Sequence, residues 1–330
     1  ESIHFVHQAL PELNAREINT KVDFAGQEVN YPFFISCMTG GSDEGFRANK
    51  NLAIAAQEAN IPVGTGSIRI LFETDEVFEH FHLKKFAPDV PVMANIGGVQ
   101  LRDFNHAIII EMVKKLEVQA LVVHLNPGQE LFQPDGDRDF TGIKNALYRY
   151  CELSPVPVVV KETGFGITPG LIGELFDAGV NYVDVAGSGG TNWISVEAYR
   201  NENPAESQSA KEFEGWGLPT AYILAGLSDI RGSVLASGGV RTGMDIAKSV
   251  ALGADLAGLA LPFIRAEVES GLEGVQQLIE SLAATLRYVM VLTGSESIKE
   301  LKRVPLWYDG DFSKAVDSIR AAGRTAPYIV

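Results

Sequence analysis

Eight short apolar runs constrain this chain more than any other feature. They lie at residues 32–37, 61–64, 90–96, 120–125, 156–162, 182–186, 234–237 and 256–261, each bounded by Gly, Pro, Asn or Ser. Most lack the polar alternation of a strand with one face in water. They read as strands buried on both faces, the condition of a parallel sheet covered by helices. Helical spacing fills the intervals. In 49–59, Leu52, Ala53, Ala56 and Ala59 share one face, and 104–116, 142–151, 168–178, 242–252 and 272–292 behave alike. Thr168-Pro169 pairs a capping hydroxyl with a first-turn proline.

Strands alternating with helices in this number predict an α/β fold: a single (β/α)8 TIM barrel, for which about 250 residues are typical. The barrel is expected over 32–295 of the 330 residues, after an N-terminal extension (1–31) and before a C-terminal tail (296–330). A long polar loop after the sixth strand, 196–217, has the length of a mobile lid. An open doubly wound sheet is the rival. No linker or composition break divides the chain, which favours one closed domain.

Composition removes several classes of function. A net charge of −15 leaves no broad basic surface for nucleic acid, although a local pocket for a small phosphate is compatible with it. The two cysteines, Cys37 and Cys151, form no CxxC pair. That argues against a disulfide framework or a Cys-rich zinc site and fits a reducing, cytoplasmic setting. No run approaches the ~18–20 apolar residues of a membrane span. Glu1-Ser2-Ile3-His4 contains neither a signal peptide nor an initiator Met, so an absent preceding segment is expected.

In a barrel, the residues just after each strand meet around one mouth. Here they are Met38-Thr39-Gly40-Gly41, Thr65-Gly66-Ser67, Asn95, His124 with Asn126, Gln129 and Glu130, Lys161, Gly187 to Asn192, Gly238 to Arg241, and Ala260-Leu261. The contrast with the apolar strand interiors is the strongest physical sign of a site. The stretch His124 to Glu130 puts groups that can polarise, carry protons and hold a metal within seven residues. Ser237-Gly238-Gly239-Val240-Arg241 runs into a helix expected to start near Thr242. Backbone N–H groups freed by glycine, with a helix N-terminus and an arginine, suit a phosphate. A glycine turn is otherwise only a connector.

Lys161 has four readings: Schiff base, phosphate ligand, stabiliser of negative charge on a ring, or a solvent-bound lysine paired with Glu162. Cys37 reads as a small buried hydrophobe, since no basic neighbour in sequence would lower its pKa. His80, His82 and His106 read as surface or packing residues.

Together these motifs resemble the type 2 isopentenyl diphosphate isomerases, FMN-dependent enzymes of isoprenoid synthesis. The likeness rests on Met38-Thr39-Gly40-Gly41, Gly66-Ser67-x-Arg69, His124-x-Asn126-x-x-Gln129-Glu130, Lys161-Glu162-x-Gly164-Phe165-Gly166, Gly189-Gly190-Thr191-Asn192 and Ser237-Gly238-Gly239-Val240-Arg241, six motifs in register through nearly the whole chain. The resemblance implies that Met38, Thr39, Gly40, Ser67, Asn95, Lys161, Thr191, Gly239, Val240, Arg241, Ala260 and Leu261 hold FMN. It implies that Ser67, Ile68, Arg69 and Gln129 contact a small diphosphate substrate, and that Glu130 holds Mg²⁺ against it. His124 and Asn126 would line the same catalytic pocket beside Gln129. One carboxylate completed by substrate phosphate is a common Mg²⁺ arrangement.

The implied reaction shifts a double bond without net redox change, yet needs reduced FMN and hence NADPH or another reductant. The reduced ring would carry the acid/base step, Lys161 would stabilise its charge, and Gln129 would position or relay. The family's assembly implies a homotetramer or larger. Two departures stand out: the family's N-terminal Arg-Lys pair is absent from this sequence, and Ala186 stands where a serine is frequent. Competing functions are a flavin oxidoreductase, which would want a His base or a loop Cys, and a flavin-free phosphate-binding barrel acting as an aldolase through Lys161 or as a non-catalytic binder.

Overall fold

In the computed structural model, which describes residues 2–227 and 231–325, all eight runs form strands. They are Phe33–Ile35, Val63–Ser67, Val92–Gly97, Ala120–Leu125, Val158–Glu162, Tyr182–Asp184, Ser233–Ala236 and Leu256–Leu259. Each pairs in parallel with the next, and the eighth hydrogen-bonds back to the first, so the sheet closes. That excludes the open doubly wound alternative.

The runs lack polar alternation because both faces are covered. Ile35, Val63, Ala94, Val123, Val160, Val183, Ala236 and Leu259 point outward into the core shared with the helices. Phe34, Met93, Ala120, Val122, Val159, Leu235 and Leu256 point inward and fill the barrel. Each fully buried Val, Leu or Ile contributes about 1.5–3 kcal/mol, so both layers hold the cylinder shut.

The expected extension and tail are both structured. The hairpin Val22–Phe24 with Gln27–Val29 inserts Phe24 into the inner layer. There its ring lies 4.9 Å from that of Tyr182, whose hydroxyl accepts from the Ala25 N–H. The hairpin closes the lower end and leaves the other end for the site. Strand Ile3–Phe5 pairs antiparallel with Leu306–Tyr308, joining the two ends of the chain. The tail then continues as the helix Gly310–Thr325, and its last residues, 326–330, lie outside the described residues.

Thr168 caps the helix Pro169–Asp177 as expected. One expectation needs correction. The segment 196–217 is not an extended loop but continues the helix Trp193–Arg200 and then forms Pro204–Lys211. Asn192 and Asn203 accept from Ser195 N and Ala205 N, and Pro204 occupies the first turn. These polar residues, taken for loop composition, are helix-start signals. The pair closes a small separate core of Phe165, Ile194 and Ala210, with Phe132 and Phe213 against it. The expected last barrel helix over 272–292 is present, and a further helical stretch precedes it: Leu261–Thr293 is broken into two helices at Ser270 and Gly271, where Gly271 takes φ +59°.

Candidate active site

The inward phase that fills the barrel with Met93, Val122, Val159 and Leu235 continues two residues further along each strand. It places Asn95, His124, Lys161 and Ser237 in one layer at the C-terminal mouth, and Asp184 joins them from the sixth strand. Above this layer opens a cavity of about 810 Å³. Every residue expected at the site lines it except Ile68: Met38, Thr39, Gly40, Ser67, Arg69, Asn95, His124, Asn126, Gln129, Glu130, Lys161, Thr191, Gly239, Val240, Arg241, Ala260 and Leu261. Ile68 opens the short 3-10 helix Ile68–Phe72, and its side chain is wholly buried in the core. Only its backbone is left to serve a ligand, while Ser67 and Arg69 on either side face the cavity.

On the fourth-strand side the side chains are held by one another. The Nδ1 of His124 lies 2.6 Å from Asn95 Oδ1, which assigns the ring proton to Nδ1 and leaves Nε2 as an acceptor. Burial, with the Lys161 and Arg69 charges, lowers the His124 pKa to about 3, so this histidine is neutral at physiological pH. Glu130 stands on the helix Pro127–Phe132. Its Oε1 accepts from Asn126 Nδ2 (2.8 Å) and its Oε2 from Asp137 N (2.8 Å). Arg138 braces that loop by donating to the carbonyls of Glu130, Gln133 and Gly136. No group of three His, Cys, Asp or Glu side chains that could hold a metal occurs among the described residues. Glu130 would therefore bind a metal only together with another ligand.

Gln129 donates from Nε2 to Oε1 of Glu197 (3.2 Å), a carboxylate buried to 0% exposure in the helix Trp193–Arg200 and paired with Arg200 at 3.3 Å. Glu197 was not anticipated from sequence, because its helix was hidden inside an apparent loop. Asp184 was missed too. There a signal existed: it shares the inward phase of its strand with Tyr182, whose ring packs on Phe24.

Lys161 is buried at 9% exposure, and its Nζ donates to the backbone oxygen of Glu162 (2.7 Å). The solvent-bound, carboxylate-paired reading is thereby excluded. The Glu162 carboxylate instead accepts from the N–H groups of Thr163, Gly164, Phe165 and Gly166, fixing the loop after the fifth strand. Burial raises its pKa, against the lowering effect of those N–H groups. Cys37 lines the cavity wall, and burial pushes its thiol up to about 11, which makes it unreactive. His82 pairs with Glu117, His80 stacks on Phe46 and His106 packs edge-on to Tyr150, so all three serve packing or the surface.

The opposite side is built of backbone. Gly238 and Gly239 adopt φ of +88° and +90°. A Cβ on Gly238 would stand 2.1 Å from Gly187 O, and one on Gly239 2.7 Å from the Gly189 carbonyl carbon. The turns after the sixth and seventh strands thus touch main chain to main chain, which only glycine permits. Thr220 locks them, accepting from Gly187 N and donating to the Ser237 and Gly238 carbonyls. Arg241 donates to the carbonyls of Gly239 (2.9 Å) and Gly189 (2.5 Å).

The helix start near Thr242 serves differently from the sequence expectation. Asp245 closes a capping box and accepts from the N–H groups of Arg241 and Thr242. Those donors are already used by a carboxylate. The N–H groups of Gly239 and Val240 have no partner among the described residues and remain for an anion.

A closed barrel with unpartnered N–H groups in the glycine turn after its seventh strand and a buried lysine at its mouth is a TIM barrel with donors suited to a phosphate. Comparison with known proteins narrows this. A model of the FMN-dependent dehydrogenase family matches residues 151–308. Two similar relatives are isopentenyl-diphosphate delta-isomerases: one from Borrelia garinii subsp. bavariensis, 45% identical over 91% of this chain and 84% of its own, and one from Pyrococcus abyssi, 38% identical over 94% and 86%. A third, from Nostoc sp., is 40% identical over 92% of this chain and 87% of its own. The chain belongs to the isopentenyl-diphosphate delta-isomerase family. Among solved structures, a mandelate oxidase variant with (S)-mandelic acid superposes with a TM-score of 0.67 at 18% identity, covering 93% of this chain and 87% of that one, a likeness of fold.

Proposed function

We propose that this protein interconverts isopentenyl diphosphate and dimethylallyl diphosphate, using reduced FMN and Mg²⁺. The single observation carrying the reading is the convergence of the expected residues, from all eight strand ends, on one cavity. The donors around it fit FMN. Free N–H groups at Gly239 and Val240 suit its phosphate, and a buried ammonium at Lys161 suits a ring edge. The residues holding it would be Met38, Thr39, Gly40, Ser67, Asn95, Lys161, Thr191, Gly239, Val240, Arg241, Ala260 and Leu261. Bound and reduced, FMN supplies an electron-rich ring able to exchange the protons that a double-bond shift requires.

The chain's own residues do the rest. Ser67, Arg69 and Gln129, with the backbone at Ile68, bind the substrate, and Arg69 offsets diphosphate charge. Glu130, presented by Asn126 and the Asp137 N–H, would hold Mg²⁺ together with the substrate's phosphates, where the ion would offset diphosphate charge. His124, held neutral, presents Nε2 as an acceptor and adds no further positive charge beside Lys161 and Arg69. Gln129 orients substrate from its anchor on Glu197. One proton is added at one alkene carbon and another is lost nearby, so no net oxidation occurs. FMN held there would need NADPH or another reductant to supply it in its reduced form.

The same reading carries a cytoplasmic location and a homotetramer or larger assembly, checked by light scattering on the purified protein. Among the described residues no helix is long and apolar enough to cross a membrane. The deciding experiment is an anaerobic isomerisation assay with isopentenyl diphosphate, FMN, Mg²⁺ and a reductant. Turnover is expected. A protein that binds FMN and turns over nothing would return the choice to a flavin oxidoreductase.

A further inference from the structure

One buried carboxyl in the layer beneath the cavity has no task in the reaction above. Asp184 stands on the sixth barrel strand in register with Lys161 of the fifth, and it is only 1% exposed. In-register residues of neighbouring parallel strands face the same side, so both point into the mouth. The carboxylate is anchored away from the lysine. Its Oδ1 accepts from Ser237 N (2.9 Å) and Ala186 N (3.3 Å), and its Oδ2 from Ser237 Oγ (2.8 Å). The Lys161 Nζ donates instead to the Glu162 carbonyl. The two opposite charges therefore face each other without a direct bond.

The neutral groups beside them screen little. Their layer is shared with Cys37, Asn95 and His124, and at neutral pH the thiol is protonated and the imidazole neutral. Arg69 is the other cation acting on this layer. In such surroundings a Coulomb interaction is screened far less than in water. The three hydrogen bonds explain why an acceptor stands at position 184, since a neutral oxygen could take them as well. They do not require an ionisable group, whose charged form burial disfavours by raising the pKa of this carboxyl.

We propose that Asp184 is a counter-charge to Lys161, a positioning residue that holds the Ser237 turn and sets how strongly the lysine's field favours an anionic over a neutral flavin ring. The proposal rests on the FMN reading.

The test compares dissociation constants for oxidised and reduced FMN, measured anaerobically on the full chain by fluorescence and equilibrium dialysis. Asp184→Asn removes the opposing charge, and the ratio should move about tenfold in favour of reduced FMN. Ser237→Ala keeps the charge while loosening the turn, so it should weaken both forms alike and leave the ratio unchanged. An unchanged ratio in Asp184→Asn overturns the proposal, as does an equal change of ratio in Ser237→Ala. Asp184→Ser removes the same charge without placing amide hydrogens against the Ser237 N–H, and it carries the test if the Asn variant does not fold. Failure of both to fold, with Ser237→Ala folded, would make the carboxylate a structural strut and overturn the proposal too. Wild-type protein that binds no FMN in either state is a different result, which removes the flavin reading itself.

Discussion

The two walls of the cavity are built on opposite principles. Around the sixth and seventh strand ends, the wall is main chain against main chain, with Gly187, Gly238 and Gly239 so close to neighbouring backbone that an added Cβ would collide. Around the fourth strand end, the wall is a relay of side chains: Asn95 to His124, Asn126 to Glu130, Gln129 to Glu197 and Glu197 to Arg200. The first wall has almost no conformational choice. The second depends on partners brought from distant segments. A backbone wall should fail abruptly, by loss of shape and binding together. A side-chain wall should fail by degrees, losing one chemical task at a time.

The largest effect should come from Gly238→Ala. The position needs φ of +88° and has 2.1 Å to the Gly187 oxygen. We expect a stability loss of about 2–4 kcal/mol and FMN affinity lower by about a hundredfold or more, read by thermal unfolding and flavin titration. Retained FMN affinity would break the comparison. On the other wall, Gln129→Asn shortens the reach to both substrate and Glu197. It should lower kcat by about ten- to a hundredfold while FMN affinity stays put. An unchanged rate with reduced FMN would remove Gln129 from the mechanism.

Glu130→Gln should raise the Mg²⁺ concentration needed for half-maximal activity by about ten- to a hundredfold, again with FMN bound normally. An Mg²⁺ titration identical to wild type would reassign the ligand.

His124 gives a test through pH. Its folded pKa of about 3 lies below the ordinary histidine value of 6.5, so between these values the unfolded chain binds the proton more readily. Stability from this group is full above about pH 6.5 and falls as the pH drops toward 3. His124→Gln should flatten that part of the stability curve relative to wild type, in denaturant melts from pH 7 to 4. Buried Glu162 and Asp184 are shifted upward, so they contribute with the opposite sign and cancel in the difference. The smallest effect belongs to Asp245→Ala, which opens the capping box at Thr242. A loss of about 1 kcal/mol is expected in unfolding experiments, with turnover little changed.

The eight strands, their barrel closure and most of the site residues were legible in the sequence because their signals are local. An uninterrupted apolar run marks a strand buried on both faces, and the change to Gly and polar residues marks its exit. The backbone wall was legible for the same reason, since a glycine is visible wherever the chain needs positive φ or close approach. The side-chain wall was legible only in half. His124, Asn126, Gln129 and Glu130 could be found, but Glu197 could not while its helix read as a loop. The glycine turn leading to Thr242 illustrates the same limit, because Asp245 takes the N–H groups of Arg241 and Thr242 and leaves those of Gly239 and Val240.

The sequence by itself determined where strands begin and end, where glycine is obligatory and which polar groups gather at one mouth, since each follows from short-range sterics and hydrophobicity. Tertiary structure alone decided that Ile3–Phe5 pairs with Leu306–Tyr308, that Phe24 seals the barrel floor, and that Ile68 turns into the core while Arg69 faces the cavity. It also decided that Asp184 faces Lys161 across the layer. Such choices depend on which distant surfaces come together, and a one-dimensional pattern carries no energy term for contacts between them.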